Sequence, residues 1–183
     1  MSGLVIRPMA IDDLASVIAI EQASSSQPWD EKIFRDELGE ATRTYVVGVL
    51  DDAVAGFCGL MLGYEEGHIT NVAVDPSLRR GGVASRLLLH VTRIAIARSM
   101  SAMTLEVRVS NEAARGLYAR FGYGPAGARP KYYADNHEDA LIYWAHDIDT
   151  ADYGLRLAAI SERLDAAAAA ANTHSVVSDE VLS

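Results

Sequence analysis

A single cysteine, Cys58, stands among 183 residues. One thiol excludes an intrachain disulfide and any cysteine-based zinc cluster, and a reducing, cytoplasmic setting is the expectation. No apolar run approaches the ~20 residues of a membrane span. The opening MSGLVIRPMA has neither the charged start nor the long apolar stretch of a secretion signal, so no membrane partner is expected. Basic residues are scarce: 16 Lys and Arg face 25 Asp and Glu, a net charge of −9. That balance disfavours non-specific binding of nucleic acid; it suits a cationic partner, and it also serves solubility. There is no Gly-Lys-Ser/Thr phosphate loop, no G-x-G-x-x-G dinucleotide turn and no internal repeat. The five histidines, His68, His90, His137, His146 and His174, lack metal-ligand spacing, no Ser-His-Asp arrangement can be assembled, and no metal is expected. Cys58, within AGFCGLML, reads as a core thiol.

What is present is a chain that is half hydrophobic, long enough for one domain with a real core. Its organising stretch is ITNVAVDPSLRRGGVASRLLL, Ile69 to Leu89. Ile69 to Val74 is β-branched and apolar, a buried strand that Asp75-Pro76 ends. From Val83 the apolar residues Val83, Leu87, Val91 and Ile94/Ala95 recur at helical spacing. Between them lies the turn Arg79-Arg80-Gly81-Gly82. A strand, a glycine turn and a helix start make an anion site, because free N–H groups point outward and glycine lets the backbone come close. The same pattern also fits an ordinary strand–turn–helix connection with a solvated basic turn.

The remaining elements follow from punctuation and periodicity. Leu4 to Arg7 reads as a strand ended by Pro8. Asp12 caps a first helix with apolar Leu14, Val17 and Ile18 and with Glu21 on its outer face. Asp30 opens a second helix through Ile33, Phe34 and Leu38, stopped at Gly39. Thr44–Leu50 and Val54–Leu62 form a hairpin about Asp51-Asp52. Met103 to Arg108 alternates, with Met103, Leu105 and Val107 on one face and Thr104, Glu106 and Arg108 on the other. Ser110 or Asn111 caps a helix bearing Ala114, Leu117, Tyr118 and Phe121, which Gly122 ends. Gly124 to Tyr133 reads as a loop and Ala140 to Ala145 as the last strand. Residues 151–171 read as an added amphipathic helix and 172–183 as a disordered tail, after a main domain over 1–150.

The turn, as Arg79-Arg80-Gly81-Gly82-Val83-Ala84, resembles the R/Q-x-x-G-x-G/A acetyl-CoA signature of the GCN5-related N-acetyltransferases, the GNAT family. IEQASSSQPWDEKIFRDEL, ITNVAVDP, LEVRVSNEAARGLYARFGY and the YY…EDALIYW ending extend the likeness over roughly residues 4–148. They resemble the RimI type, protein N-terminal α-amino acetyltransferases whose type member modifies the N-terminal alanine of ribosomal protein S18. The resemblance implies an α/β GNAT fold: a mixed, mostly antiparallel central sheet with helices on both faces. It implies acetyl-CoA as cosubstrate and a protein N-terminus as acceptor. It assigns CoA binding to Arg79 through Ala84 with Ser85, to the strand backbone of Val72-Ala73-Val74 and to Asn111. Glu106 becomes the base, Tyr118 the acid, and Trp29, Tyr132 and Tyr133 the lining of the peptide groove.

Read without the resemblance, these residues keep plainer alternatives. Alternation leaves open whether Glu106 faces solvent paired with Arg108. Tyr118 fits a core position, Asn111 a simple helix cap, and the aromatics loop packing. Glu138 and Asp139 could attract a positive peptide or be a solvated turn. On the acceptor, an α-amine has a reference pKa of about 7.7–8.0 against about 10.4 for lysine, so deprotonating lysine costs roughly 3.5 kcal/mol more. A single carboxylate therefore serves an α-amine more easily. A lysine or small-amine acetyltransferase and a non-catalytic acyl-CoA sensor are the alternatives.

Overall fold

The computed structural model describes residues 3–180, and side chains through residue 171. Seven strands form one sheet: β1 (Val5–Pro8), β2 (Arg43–Leu50), β3 (Ala53–Leu62), β4 (Glu66–Val74), β5 (Ala102–Arg108), β6 (Gly124–Arg129) and β7 (Ala140–His146). Their spatial order is β1-β2-β3-β4-β5-β7-β6, which leaves β1 and β6 at the two edges. Every neighbouring pair is antiparallel except β4 and β5. Among the described residues five α-helices complete the fold: α1 (Leu14–Ser24), α2 (Glu31–Gly39), α3 (Val83–Ala97), α4 (Glu112–Arg120) and α5 (Ala151–Glu180). Among the described residues no helix is long and apolar enough to cross a membrane.

Strand alternation divides the core between the two faces of the sheet. Val47 and Phe57 pack with Leu14, Val17 and Ile20 of α1 and Phe34 of α2. Their sequence neighbours Val46 and Cys58 pack on the other side with Val83, Leu87 and Val91 of α3 and with Tyr153, Leu157 and Ile160 of α5. The central sheet is thus covered on both faces, as the resemblance implies. Cys58 is fully buried and desolvation pushes its thiol pKa up, which keeps it an inert core group.

Local chemistry explains most boundaries. The Asp30 carboxylate accepts from the Ile33 N–H at 2.9 Å and starts α2. Asp51 and Asp52 adopt φ of 49° and 63°, the left-handed pair of a tight hairpin. Asn111 caps α4 by accepting from the Ala114 N–H at 3.0 Å.

Several expectations are corrected. Gly124–Arg129, read as part of a loop, is the edge strand β6, paired with β7. Asp12 is not the cap at the first helix. Asp13 receives both Arg7 guanidinium nitrogens at 2.7 Å and the Ala10 N–H at 2.8 Å. Glu21 is not outward but buried. It lies seven residues after Leu14, two helical turns on, and so shares the apolar face. α5 continues past residue 171 to Glu180, through most of the stretch read as disordered; residues 181–183 lie outside the described residues.

Candidate functional site

The site lies where the sheet opens. β4 and β5 pair in parallel at Glu66↔Ala102, Gly67↔Met103 and His68↔Thr104, and beyond that register they part. Between them is a cleft of about 220 Å³ lined by Ile69–Ala73 of β4, Leu105–Arg108 of β5, Glu21 of α1, Asn111, Ala114 and Tyr118 at α4, and Tyr133. A bulge in β4 shapes its wall. Pairing with β3 jumps from Gly59↔Asn71 to Leu60↔Ile69, leaving Thr70 without an opposite residue. A methyl group at Gly59 would collide with Thr70, Tyr45 and Asn71, so only glycine permits the bulge. The bulge is tied from behind, since Tyr45 Oη donates to Glu37 at 2.9 Å and lies 3.1 Å from Thr70 Oγ1.

Glu106 points from β5 into this opening, its side chain 13% exposed. Arg129 of β6 donates through Nε to Oε1 at 3.0 Å, and His68 of β4 places Nε2 3.2 Å from Oε2. Desolvation lowers the His68 pKa, against the opposing pull of Glu106, so the imidazole is held toward its neutral form. Arg108 is not the partner of Glu106. Its guanidinium lies 3.7 Å over the Tyr133 ring and bonds Asp135, Asn136 and Glu138 on one loop and Ser26 on another. Glu138 and Asp139 are likewise engaged: Glu138 accepts from the Ser110 N–H at 2.7 Å and Asp139 from the Lys131 N–H at 2.8 Å.

Tyr118 lies on the α4 wall of the cleft, 5.8 Å ring to ring from Tyr123. Burial raises its phenol pKa and keeps the hydroxyl protonated. Asn111 spends its side-chain oxygen on the helix cap and still lines the cleft.

The glycine turn after β4 has the geometry of an anion cradle. Arg80 and Gly82 adopt φ of 67° and 85°, and α3 then begins with no side chain capping its first N–H groups. Val83 turns its side chain into the core, so what it offers the turn is backbone. Arg79 stays exposed and is tied across to α1, donating to Ser24 Oγ at 3.1 Å and to the Val74 carbonyl at 3.4 Å. From behind, α5 supports the turn: a Cβ at Gly82 would sit 3.2 Å from Leu164 Cδ2, and Arg86 donates to Asp165 at 2.9 Å. Uncapped N–H groups, a backbone open to close approach and a strand edge freed by the parting of β4 and β5 together fit a CoA-type ligand with a pyrophosphate and an amide-bearing arm.

The three aromatic groove candidates are not equivalent. Tyr133 lines the cleft. Tyr132 is half exposed with its ring 5.2 Å from that of Tyr133. Trp29 packs on Phe34 at 5.6 Å and is not part of the cleft wall. The residues that sequence reasoning missed are His68, Arg129 and Glu21. A larger concavity, about 310 Å³ between the end of β7 and the first turns of α5, contains none of the residues given a site role from the sequence.

The acetyltransferase (GNAT) family model matches residues 12–123. The ribosomal protein bS18-alanine N-acetyltransferase of Salmonella typhimurium is 36% identical over 136 residues, covering 73% of this chain and 91% of that protein. The protein of the same name from Escherichia coli K12 is 35% identical over 132 residues, covering 71% and 88%. Among solved structures, the ribosomal-protein-S18-alanine N-acetyltransferase from Escherichia coli matches with a TM-score of 0.73 at 31% identity, over 79% of this chain and 94% of that one. Ard1 from Thermoplasma volcanium matches with a TM-score of 0.72 at 28% identity, over 79% and 97%.

Proposed function

This chain belongs to the acetyltransferase (GNAT) family, and we propose that it transfers the acetyl group of acetyl-CoA to the N-terminal α-amine of a protein such as ribosomal protein S18, in a cytoplasmic setting. The observation that carries this reading is the convergence of Glu106 and Tyr118 on the β4–β5 opening, in a chain similar over most of its length to proteins named for that activity.

Acetyl-CoA supplies a thioester whose acyl carbon accepts the amine. The turn from Arg79, Arg80, Gly81 and Gly82 through Val83, Ala84 and Ser85 holds the pyrophosphate on backbone N–H groups. Asn111 and the edge of Val72-Ala73-Val74 hold the amide-bearing arm, and that strand edge offers an N–H to the thioester oxygen. Glu106 takes the proton from the substrate ammonium, directly or through one water. Arg129 bonds one of its carboxylate oxygens and His68 lies against the other, which limits its orientation. The amine nitrogen bonds to the acyl carbon within a ternary complex, the carbon–sulfur bond breaks, Tyr118 gives its phenolic proton to the leaving sulfur, and the second proton lost by the nitrogen returns the phenolate to phenol through solvent. A raised phenol pKa suits that task, because the proton is retained until the thiolate appears. Tyr133 borders the acceptor's path, with Tyr132 packed against it. A single carboxylate base favours an α-amine over a lysine.

Two peptides test the reading, each incubated with acetyl-CoA and mapped by mass spectrometry. One begins with free Ala, Ser or Met and lacks lysine; the other has a blocked N-terminus and internal lysines. Modification of the first alone, abolished by Glu106→Gln, is expected. Modification of lysines alone would overturn the acceptor assignment while leaving the cosubstrate in place. Binding of acetyl-CoA with no transfer to either peptide would replace catalysis by sensing.

A further inference from the structure

Glu21 is a carboxylate on the wall of the cleft with no cation against it. Its residue is 6% exposed. Its one hydrogen bond among the described residues is long, from the Trp29 backbone N–H to Oε1 at 3.4 Å, and Oε2 has none. The other carboxylates around the cleft differ. Glu106 holds Arg129 and His68, while Asp135 and Glu138 share Arg108. The Arg79 guanidinium, which reaches α1 at Ser24, goes to that hydroxyl and the Val74 carbonyl. Taking a carboxylate out of water without a partner is costly, and the penalty is met when a cation arrives to pair with it. Desolvation raises the Glu21 carboxyl above its ordinary value in keeping with that cost.

Two carboxylates therefore face one opening with different engagements. Glu106 accepts from Arg129 on one oxygen and has His68 against the other, which suits a base held in one orientation. Glu21 lines the same cavity as Tyr118, Asn111 and Tyr133, and its Oε2 accepts no hydrogen bond among the described residues. We propose that Glu21 is the cation receptor of the acceptor site, binding the α-ammonium of the incoming chain before Glu106 removes its proton. The assignment rests on the acetyl-transfer reading given above. It makes Glu21 a determinant of affinity for the charged amine and leaves the chemical step to Glu106.

Glu21→Gln isolates the charge, because the amide oxygen still accepts from the Trp29 N–H. The measurements are kcat and KM for a lysine-free peptide with a free N-terminus, calorimetric binding of that peptide and of its N-acetylated product, the dissociation constant of acetyl-CoA, and Tm. The expected result is a KM for the free-amine peptide raised about tenfold or more, the effect of losing a charge-assisted bond. kcat should stay within about threefold, and binding of the acetylated peptide and of acetyl-CoA should not change. Tm should be no lower than in the parent, since removing an unpaired buried charge relieves a cost; a structural role would lower it. Unchanged KM, or equal weakening of the free and acetylated peptides, would overturn the inference. So would a fall in kcat at constant KM, or weakened acetyl-CoA binding. Absence of any turnover in the parent protein would instead defeat the acetyl-transfer reading, and the two binding measurements would still report on Glu21.

Discussion

His68 and Glu106 meet at 3.2 Å, Nε2 to Oε2, across the mouth of the one parallel strand pair: His68 is at the last register position that β4 and β5 share, opposite Thr104, and Glu106 lies two residues beyond it. The contact links the two strands just where their backbones cease to do so, and it aims the carboxylate into the gap. Glu106→Gln is expected to lower kcat by about 10²–10⁴, the usual range for a lost general base. His68→Ala removes only an orienting contact, and a loss of about tenfold in kcat is expected. The double variant should be no slower than Glu106→Gln alone, because both act through one carboxylate. Steady-state kcat of the four proteins at saturating substrates checks this.

Acidity should weaken the fold through two histidines. Desolvation lowers the pKa of His68, and desolvation followed by Arg93 lowers that of His90. A pKa depressed in the folded state means that the unfolded chain binds the extra proton first. The stabilising contribution is therefore complete above the unfolded value of about 6.5 and is lost as pH falls through the lower folded values. Tm measured from pH 8 to pH 5 should decline, and His90→Gln should flatten part of the slope while leaving the activity of the enzyme at pH 8 unchanged.

Arg108 fastens the two loops that border the acceptor side. It bonds Ser26 at 3.0 Å and Asp135 at 3.0 Å, and Ser26 itself donates to Asp135 at 2.5 Å. Arg108→Lys keeps the charge but loses the fork and the stacking on Tyr133. Peptide KM should rise roughly three- to tenfold with acetyl-CoA KM unchanged, the split expected of a residue that positions one substrate only. The attachment should resist mild acid. The Ser110 hydroxyl and N–H, with Arg108, push the Glu138 carboxyl down to about 2. Its contribution is thus full above the unfolded value of about 4.3 and disappears only as pH falls toward 2.

The turn at Gly82 answers to α5. Gly82→Ala must accept a φ of 85° and crowd Leu164. A rise of about tenfold or more in the KM for acetyl-CoA is expected. Adding Leu164→Ala should recover part of that loss by removing the crowding, while the backbone strain stays. Leu164→Ala alone should weaken acetyl-CoA a few-fold with peptide KM unchanged. This helix lies outside the 12–123 family match, so here a segment the family model does not describe bears on the ligand turn.

Local features were readable from the chain because their causes are local. The glycine turn, the Asp30 and Asn111 caps and the Asp51-Asp52 hairpin each follow from one or two residues with restricted backbone choices. β6 was not readable: Gly-Pro-Ala-Gly-Ala-Arg has no β-branched residue, and pairing with β7 overrides its low strand preference. The Glu21 position was legible and misread, since its spacing from Leu14 and Val17 already put it inward. The meeting of His68, Glu106 and Arg129 was beyond any local signal. It depends on β7 passing between β5 and β6 and on β4 running parallel to β5, relations that no spacing along the chain encodes.

Both outermost strands carry a proline, Pro8 in β1 and Pro125 in β6, and both are short. A missing N–H at each margin gives a neighbouring molecule a broken ladder to pair with, so the rims discourage runaway strand-on-strand growth. The sheet thus turns away company at its borders and keeps its accessible peptide groups for the interior parting between β4 and β5. For a protein whose proposed customers arrive as loose, extended chain ends, that arrangement directs them inward, where a visit ends in chemistry and release, rather than to an edge where it would end in aggregation.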